Sequence, residues 1–476
     1  MNEKLIQDYK KFLSDGKTER ECCDIITALA EKNGYKDISK VTSVKAGDKV
    51  YVKKWNKAIA LFNIGSGDIQ DGMNILGAHI DSPRLDVKQN PVYEKDFVVY
   101  MNTHYYGGIK KYQWVTLPLA IHGVVCKKDG TVVNVSVGEK EGDPVFCISD
   151  ILPHLAQKQM KEAASDFIPG ESLDLIIGSG EPADEKAESK KGAQKSEAAV
   201  SESASGATSS AGDSSAGAES KKEAAKKNIL ALLKETYGIE EEDFGSAELE
   251  IVPAGSARDL GFDRSLILAY GQDDRSCAYA SAAAMFEASA GKRTNVCLCV
   301  DKEEIGSVGA TGMASHFFEN AVAEVIDRLG NYSELKLRRA LNNSYMLSSD
   351  VNAAFDPMNA DLFDRANASL LGGGIVFNKY TGSRGKSGAS DASPEFIAKL
   401  RKVLDDASVK YQMAELGKVD QGGGGTIAYL AAKYGMYVLD AGVAVLSMHA
   451  PWEITAKADI EEAYKAYKAF LNDVTV

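Results

Sequence analysis

Apolar residues recur with helical spacing at the start of the chain and form short unbroken runs further along it. Between residues 3 and 33, apolar positions three and four apart predict two helices, with Gly34 suited to the end of the second. Runs rich in β-branched and small apolar residues at 58–64, 74–81 and 296–300 predict strands. Helices and strands alternate in this way near both ends of the chain. This alternation is typical of an α/β domain.

The middle of the chain follows a different pattern. Alternating apolar and polar residues near 117–125 and 131–137 predict antiparallel strands joined by turns. We therefore predict that a β-rich module, 91–251, is inserted into an α/β domain whose two parts are 1–90 and 252–476. At 476 residues the chain is long enough for roughly two to three domains of ~150 residues each.

Residues 181–226, inside this module, consist almost wholly of Ala, Ser, Glu, Lys and Gly. Val200 is the only large apolar residue among them. Such a composition cannot bury enough apolar surface to offset the entropy that is lost on ordering. We therefore predict a disordered, solvated loop, and a binding motif hidden within it is the alternative.

Composition and charge narrow the classes of function. With 44% hydrophobic and 26% charged residues, the chain has the composition of an ordinary globular protein. Its net charge of -13 argues against nucleic acid as a partner, since nucleic acids call for clustered Lys and Arg. The charged N-terminus does not read as a signal peptide, and no apolar stretch approaches ~18 residues, so no membrane partner is predicted. The seven cysteines are predicted to be reduced thiols in a cytoplasmic protein.

Two adjacent acids, Glu303 and Glu304, follow the predicted strand at 296–300. In open α/β sheets, ligands bind beyond the carboxyl ends of the strands, and adjacent residues of an extended chain point in opposite directions. One acid could therefore bind a metal ion while the other transfers protons. For this pair taken alone, a solvated acidic turn is the alternative.

Other strand ends carry matching polar residues. Together with Glu304, these candidates are His79, Asp273, Asp350 and His449. Two imidazoles and three carboxylates suit two hydrolytic ions of zinc or manganese, and ions ~3.5–4 Å apart need a bridging carboxylate. Glu303 is then placed to take a proton from water and to pass it to a leaving amine. Taken singly, each histidine could be a core residue, Asp273 a helix N-terminal acid and Asp350 part of a turn.

Asp81 lies two residues after His79, so the two side chains share a face of the extended chain. A metal-bound imidazole usually needs an oxygen partner on its second nitrogen. We therefore predict that Asp81 supplies this oxygen to His79.

The run 380–388 resembles a phosphate-binding loop. It lacks the four-residue gap that separates Gly from Gly-Lys-Ser/Thr in such loops, so nucleotide binding is rejected. We interpret its lysines and backbone amides as the wall of a substrate pocket.

Seven short segments of the chain carry a further signal. They begin at Gly77 (Gly-Ala-His-Ile-Asp-Ser-Pro-Arg-Leu), Tyr106 (Tyr-Gly-Gly-Ile), Ile151 (Ile-Leu-Pro-His), Gln272 (Gln-Asp-Asp-Arg), Glu303 (Glu-Glu-Ile-Gly-Ser), Ser349 (Ser-Asp-Val-Asn) and Ser447 (Ser-Met-His-Ala-Pro). In this order they resemble the aspartyl aminopeptidase family, which includes the vacuolar aminopeptidase I type. They run through nearly the whole chain and are jointly highly specific. The resemblance implies an α/β catalytic domain of the zinc-peptidase type, with a central mixed sheet flanked by helices and an inserted β-rich dimerisation domain.

The resemblance also implies a role for each candidate residue. His79 and Asp350 would hold one metal ion, Glu304 and His449 would hold the other, and Asp273 would bridge the two. Glu303 would be the general base, and Asp81 would orient His79. The ions would be zinc, with manganese or cobalt as alternatives. A cis peptide bond would follow Asp273, as it does in relatives.

Assembly is implied by the same resemblance. Relatives form tetrahedral dodecamers that are built from dimers, so a homo-oligomer of this kind is expected. His154 matches a histidine that reaches the active site of a neighbouring subunit in such assemblies. We therefore predict a catalytic role for His154, and a capping or core histidine is the alternative.

Departures from the family pattern leave the substrate preference open. Pro451 and Trp452 stand where the family often has Arg, and the segment from Tyr112 looks like a bacterial branch. Lys379, on a Gly-rich loop, could neutralise an acidic side chain of the substrate. Both an acidic and a neutral N-terminal residue are therefore considered.

The predicted function is a cytoplasmic metalloaminopeptidase. It would remove the N-terminal residue from short peptides with a water molecule activated by two metal ions and a glutamate general base. A two-metal amidohydrolase that acts on N-acyl amino acids is the alternative, because the ligand set alone does not separate the two. A non-catalytic assembly protein is a third reading, but it predicts loss of ligands, and all of them are present.

Overall fold

The computed structural model describes residues 2–180, 223–289 and 291–474. Its α-helices are α1 (Glu3–Asp15), α2 (Glu19–Lys32), α3 (Ala224–Tyr237), α4 (Gln272–Glu287), α5 (Phe317–Arg328), α6 (Glu334–Asn342), α7 (Pro394–Asp406), α8 (Ala428–Ala432) and α9 (Lys457–Asp473). Its strands are β1 (Lys36–Asp37), β2 (Lys49–Lys54), β3 (Ala58–Asn63), β4 (Met73–His79), β5 (Arg84–Lys95), β6 (Val98–Tyr106), β7 (Leu119–Cys126), β8 (Val132–Val137), β9 (Leu175–Ser179), β10 (Ala247–Pro253), β11 (Arg258–Leu260), β12 (Leu266–Ala269), β13 (Thr294–Val300), β14 (Tyr345–Ser348), β15 (Asn352–Ala353), β16 (Ile375–Asn378), β17 (Gly382–Ser383), β18 (Tyr411–Met413), β19 (Gly423–Gly424), β20 (Tyr437–Gly442), β21 (Ala444–Leu446) and β22 (Glu453–Ala456). None of the described helices is long and apolar enough to cross a membrane.

A nine-stranded mixed sheet forms the centre of the fold. Its order is β1-β2-β3-β13-β4-β14-β20-β16-β18, and the neighbours β13, β4, β14 and β20 run parallel. Every residue of β4 and of β13 is buried, because helices cover both faces of the sheet. The predicted α/β class, with a central mixed sheet flanked by helices, is confirmed.

Side chains along the central strands alternate between two apolar layers. On β4, Leu76 and Ala78 pack in one layer with α1, α2, α4, α7 and α9, whereas Ile75 packs in the other with α5, α6 and α8. This alternation follows from the two-residue period of an extended chain. The parallel strands β13, β4 and β14 end at one common edge of the sheet, between the two layers.

Strands from 84–179 and 247–253 build a second sheet, which is antiparallel. Its six strands lie in the order β8-β7-β10-β5-β6-β9, and it has an apolar core of its own against which α3 packs. Because β5 begins at Arg84 and β10 ends at Pro253, the boundaries predicted at 91 and 251 fall within strands. The division into domains itself stays a prediction.

A third sheet connects two distant parts of the chain. Its five strands lie in the order β11-β12-β22-β21-β15. In the pairing of β12 with β22, Ala269 lies opposite Glu453. The chain that leaves β12 towards α4 therefore starts beside the loop that joins β21 to β22.

The predicted loop at 181–226 lies outside the described residues up to residue 222. Its predicted end requires correction, because α3 begins at Ala224 and Ala225 is buried against the six-stranded sheet. Alanine and lysine favour helix, although the segment offers no large apolar side chain to reveal the helical period.

Candidate metal centre

Three parallel strands bring four of the candidate residues to one edge of the central sheet. β4 ends at His79, and a 3-10 turn after β13 carries Glu303 and Glu304. Asp350 lies just beyond the end of β14. Since β13, β4 and β14 are parallel neighbours, their carboxyl ends place these side chains together.

The other two candidates reach this edge from the five-stranded sheet. Asp273 lies at the start of α4, where its φ and ψ are not helical. The peptide bond between Asp273 and Asp274 is cis, as the family resemblance implied. His449 lies in the loop after β21, and its φ of 66° places it in the left-handed region.

The carboxylate of Asp273 lies between the two histidine rings. Its Oδ1 is 3.3 Å from Nε2 of His79, and its Oδ2 is 3.2 Å from Nε2 of His449. Oε2 of Glu304 lies 3.5 Å from the same nitrogen of His449. On the other side, one potential ligand atom each of His79, Glu303 and Asp350 lie within 4.8 Å of one another. Each oxygen of Asp273 therefore faces a different group of potential ligands.

The second nitrogen of each ring faces an oxygen. Nδ1 of His79 lies 3.1 Å from the backbone oxygen of Asp81 and 3.3 Å from its Oδ1. Nδ1 of His449 lies 2.9 Å from the backbone oxygen of Gly108. An acceptor at Nδ1 places the proton on that nitrogen and leaves the Nε2 lone pair for a metal ion.

Three carboxylates of this centre lack sufficient compensation from the protein, whereas the two histidines hold the pKa of Asp273 below its usual range. Burial raises the pKa of Glu304 and of Asp350 well above the usual range of carboxyl groups. Burial likewise raises the pKa of Glu303, to about 7. Oε1 of Glu304 is buried and has no hydrogen-bond partner in the described part of the chain. A divalent cation would satisfy that oxygen and balance these charges, so this set of nitrogen and oxygen donors fits zinc.

A further group of acids, Glu19, Glu248 and Glu250, also lies close enough to hold an ion. Protein cations already occupy this position. Nζ of Lys57 lies 2.8 Å from both Glu19 and Glu248, and Nε of Arg84 lies 3.1 Å from Glu250. We therefore assign this group to a buried ion-pair network rather than to a metal site.

A cavity of about 670 Å³ opens over the centre. Its wall includes the five candidates Asp273, Glu303, Glu304, Asp350 and His449, together with Tyr380, Arg384 and Lys386. Lys379 is half-buried and is not among the described residues that line the cavity, and its Nζ lies 4.9 Å from the ring of Tyr380. Part of the positive charge on the wall therefore comes from Arg384 and Lys386, in the loop interpreted above as a pocket wall.

His154 does not join the other candidates within one chain. It is exposed, in a turn of the segment between β8 and β9, and is not among the described residues that line the cavity. Its neighbours Ile151, Leu152 and Leu155 are 44, 49 and 70% exposed. This segment therefore presents apolar side chains beside a histidine to the outside of the chain.

The sequence reasoning missed the residues that hold the centre in place. Glu453 is buried, and its carboxylate accepts hydrogen bonds from the backbone N–H groups of His449, at 2.7 Å, and of Asp273, at 3.0 Å. The hydroxyl of Tyr106 donates to Oδ2 of Asp81 at 2.8 Å. Tyr106 begins one of the segments that carry the family resemblance, although no role was assigned to it. The signal for Glu453 was an acid at the start of a strand whose other residues are mostly buried.

Comparison with known proteins identifies the family of this chain. The sequence model of the family described as "Aminopeptidase I zinc metalloprotease (M18)" matches residues 12–471. The chain is 55% identical over 469 residues to the "Probable M18 family aminopeptidase 1" of Clostridium acetobutylicum, with 98% of this chain and 94% of that protein covered.

Solved structures agree with this match. The crystal structure of an M18 family aminopeptidase from Thermotoga maritima is similar with a TM-score of 0.89 and 41% identity, over 100% of this chain and 98% of that one. The structure of the S. cerevisiae mApe1 dodecamer shares the fold with a TM-score of 0.73 and 18% identity, over 98% and 95% of the two chains.

The fold and the donor set define a metal-dependent hydrolase of the zinc-peptidase type. The chain belongs to the M18 family of zinc metalloaminopeptidases. The predicted family and the predicted enzyme class are thereby confirmed.

Proposed function

We propose that this enzyme removes the N-terminal residue from short peptides with two divalent metal ions, zinc in the first instance. His79 and Asp350 would hold one ion, Glu304 and His449 would hold the other, and Asp273 would be shared by the two. Asp81 orients the ring of His79. The observation that carries this proposal is the position of Asp273, whose two oxygens face Nε2 of His79 and Nε2 of His449 at 3.3 and 3.2 Å.

When bound, the ions supply Lewis acidity that makes a water molecule nucleophilic and polarises the scissile carbonyl group. Glu303 is the general base. It takes a proton from the water as the oxygen attacks the carbonyl carbon, and passes that proton to the amine nitrogen as the C–N bond breaks. Glu303 suits this role because it lines the cavity and no described residue donates a hydrogen bond to its carboxylate.

The preference for the N-terminal side chain depends on the part of the cavity wall formed by the loop 380–388. Arg384 and Lys386 line the cavity, and Lys379 lies behind Tyr380. If an acidic N-terminal side chain binds there, Arg384→Ala or Lys386→Ala raises KM for peptides that begin with Asp more than for those that begin with Leu. Lys379→Ala tests the residue predicted from sequence in the same assay.

We also propose that the chain forms a homo-oligomer, a tetrahedral dodecamer built from dimers through the β-rich module, and acts in the cytoplasm. The S. cerevisiae relative is described as a dodecamer. The exposed apolar side chains of Ile151, Leu152 and Leu155 suit burial against another subunit. His154, beside them, would then contribute to the active site of a neighbouring subunit.

The central test compares the wild-type enzyme with Glu303→Gln and Asp273→Asn after reconstitution with zinc. Wild-type protein binds two ions per chain and releases N-terminal residues from short peptides. Glu303→Gln keeps both ions and loses activity by ~10³-fold or more, because it lacks the base. Asp273→Asn loses zinc as well as activity. The control is Glu324→Gln, a glutamate with a 54% exposed side chain on α5, which changes neither.

A panel of substrates separates the aminopeptidase from the amidohydrolase and from a non-catalytic protein. Peptides that begin with Asp, Glu, Leu or Lys and carry a free amine are cleaved by an aminopeptidase. Cleavage of N-acetylated substrates alone would instead indicate the amidohydrolase. No cleavage with any metal, despite two bound ions, would indicate a non-catalytic protein.

A further inference from the structure

The carboxylate of Asp81 contacts more than the ring of His79. Besides Nδ1 of His79 at 3.3 Å, its Oδ1 accepts a hydrogen bond from the backbone N–H of Glu303 at 3.2 Å. Its Oδ2 accepts one from the backbone N–H of Glu304 at 3.3 Å. Asp81 is fully buried. One side chain therefore fixes a ligand histidine and the turn that carries both glutamates.

The β-rich module fixes Asp81 in turn. Tyr106, the last residue of β6, donates its hydroxyl to Oδ2 of Asp81 at 2.8 Å. The ring of Tyr106 lies 3.9 Å from the guanidinium of Arg84, which is held by Glu250 at 3.1 Å and by Glu19 at 3.4 Å. The phenol is thus held between an ion-pair network on one side and Asp81 on the other.

The two glycines after Tyr106 contact the rest of the centre. The backbone oxygen of Gly108 lies 2.9 Å from Nδ1 of His449. A Cβ atom at Gly107 would lie 3.4 Å from Oε2 of Glu304, and one at Gly108 would lie 3.3 Å from Nδ1 of His449. The two glycines therefore pack against Glu304 and His449, which are assigned to one ion, whereas Tyr106 reaches His79, assigned to the other ion, through Asp81.

We propose that the segment Tyr106-Gly107-Gly108 is a positioning element, through which the inserted β-sheet sets the geometry of the metal ligands in the catalytic domain. Tyr106 acts on His79, Glu303 and Glu304 through Asp81, and Gly108 acts on His449 directly. The inference rests on the ligand roles proposed above. It makes the module an essential part of the metal centre of its own chain, whatever its role in assembly.

The direct test is Tyr106→Phe in the full-length protein. This change removes one hydroxyl and keeps the ring against Arg84. Loss of a second-sphere hydrogen bond typically lowers metal affinity or activity by 10–100-fold. We expect zinc affinity, measured by competition with a chelator, and kcat both to fall within roughly that range, with KM changed less than about twofold. Tyr105→Phe, at a 43% exposed neighbour, is the matched control and leaves all three unchanged.

A second variant acts at the other end of the segment. Gly108→Ala places a Cβ against the ring of His449, so zinc affinity falls here too. The control is Gly245→Ala, where an added Cβ meets nothing within 4 Å. If Tyr106→Phe does not fold, Gly108→Ala carries the test by itself.

The outcomes separate this inference from the proposed function. If both variants fold and keep the zinc affinity and kcat of the wild type, the positioning role is overturned and the proposed aminopeptidase function is unaffected. A wild-type enzyme without zinc-dependent peptidase activity would instead overturn the proposed function. A lowered melting temperature with unchanged zinc affinity would show a merely structural role and would likewise overturn the inference.

Discussion

The carboxyl group of Glu453 accepts a hydrogen bond from the backbone N–H of Asp273 at 3.0 Å, in the interior of the protein. Its other oxygen accepts one from the backbone N–H of His449 at 2.7 Å. A single carboxylate thus holds the proposed bridging ligand and a terminal ligand, which come from distant parts of the chain. Precision of this kind in ligand placement decides metal affinity.

Glu453→Gln tests this relationship. An amide offers one acceptor oxygen, so its NH₂ group faces one of the two backbone donors, a mismatch that costs about 1–3 kcal/mol. We expect zinc affinity and kcat to fall by roughly 10–100-fold, as for other second-sphere partners of metal ligands. Chelator competition and steady-state kinetics measure the two quantities. A variant as tight and as active as Glu324→Gln would contradict the assignment.

The stability of the protein should depend on pH through Asp440. This residue of β20 is buried, which raises its pKa to about 7, while the hydroxyl of Thr426 donates to its Oδ1 at 2.6 Å and opposes the shift. Because the folded-state pKa exceeds the unfolded value, the folded state keeps a proton that the unfolded chain has already lost. The contribution of Asp440 to the free energy of unfolding is therefore most favourable below about pH 4 and declines as the pH rises to about 7.

Asp440→Asn removes this titration and keeps the acceptor for Thr426. Its free energy of unfolding, relative to wild type, should rise between pH 5 and pH 8, with an upper limit on the order of 3 kcal/mol. Urea denaturation at the two pH values measures the difference. If the difference in free energy of unfolding between the variant and the wild type is the same at both pH values, Asp440 does not titrate in this way.

Lys57 should be essential for the stability of the contact between α2 and the six-stranded sheet. Its Nζ, which is buried, contacts Glu19 of α2 and Glu248 of β10, each at 2.8 Å. Lys57→Met fills a similar volume but removes the nearer of two cations that face the buried Glu19, leaving Arg84 at 3.4 Å. Breaking a buried ion pair costs at most about 3–5 kcal/mol. A fall in the urea midpoint at pH 7 measures this cost. Lys53→Met, at an exposed position, is the control, and equal midpoints for the two variants would disprove the role.

The proposed role of His154 predicts complementation between subunits. Glu303→Gln and His154→Ala should each be inactive alone, since one lacks the base and the other lacks the histidine offered to its neighbour. In mixed oligomers, a His154→Ala subunit keeps Glu303 and receives His154 from a Glu303→Gln partner. Random pairing of equal amounts should then restore about a quarter of wild-type activity.

Two controls make this experiment decisive. Subunits are mixed under dissociating conditions and then reassembled, and each variant alone is treated identically. Full activity of His154→Ala by itself would remove the histidine from the mechanism. Inactive mixtures that contain verified hybrid oligomers would place its action within its own chain.

The sequence by itself determined the chemistry and the class of fold. Apolar runs predicted the buried strands, and polar residues at their ends predicted the candidate site. These residues are His79, the pair Glu303-Glu304 just after β13, and Asp350 just after β14. This was possible because strand period, burial and strand-end polarity are local properties of the chain. Helix α6 and strand β16 were not predicted from these patterns. Strand β16 has four residues, too few to express an extended period clearly. Helix α6 does carry helical spacing at Leu337, Ala340 and Leu341, and that signal was overlooked.

Only the tertiary structure decided how the candidates are arranged. It placed Asp273 between His79 and His449, brought Glu453 against the backbone of two proposed ligands, and set Tyr106 of the six-stranded sheet on Asp81. These contacts join residues that are far apart along the chain, and their hydrogen bonds depend on how the three sheets pack. Local periodicity carries no information on such contacts, because packing between sheets is a property of the whole fold.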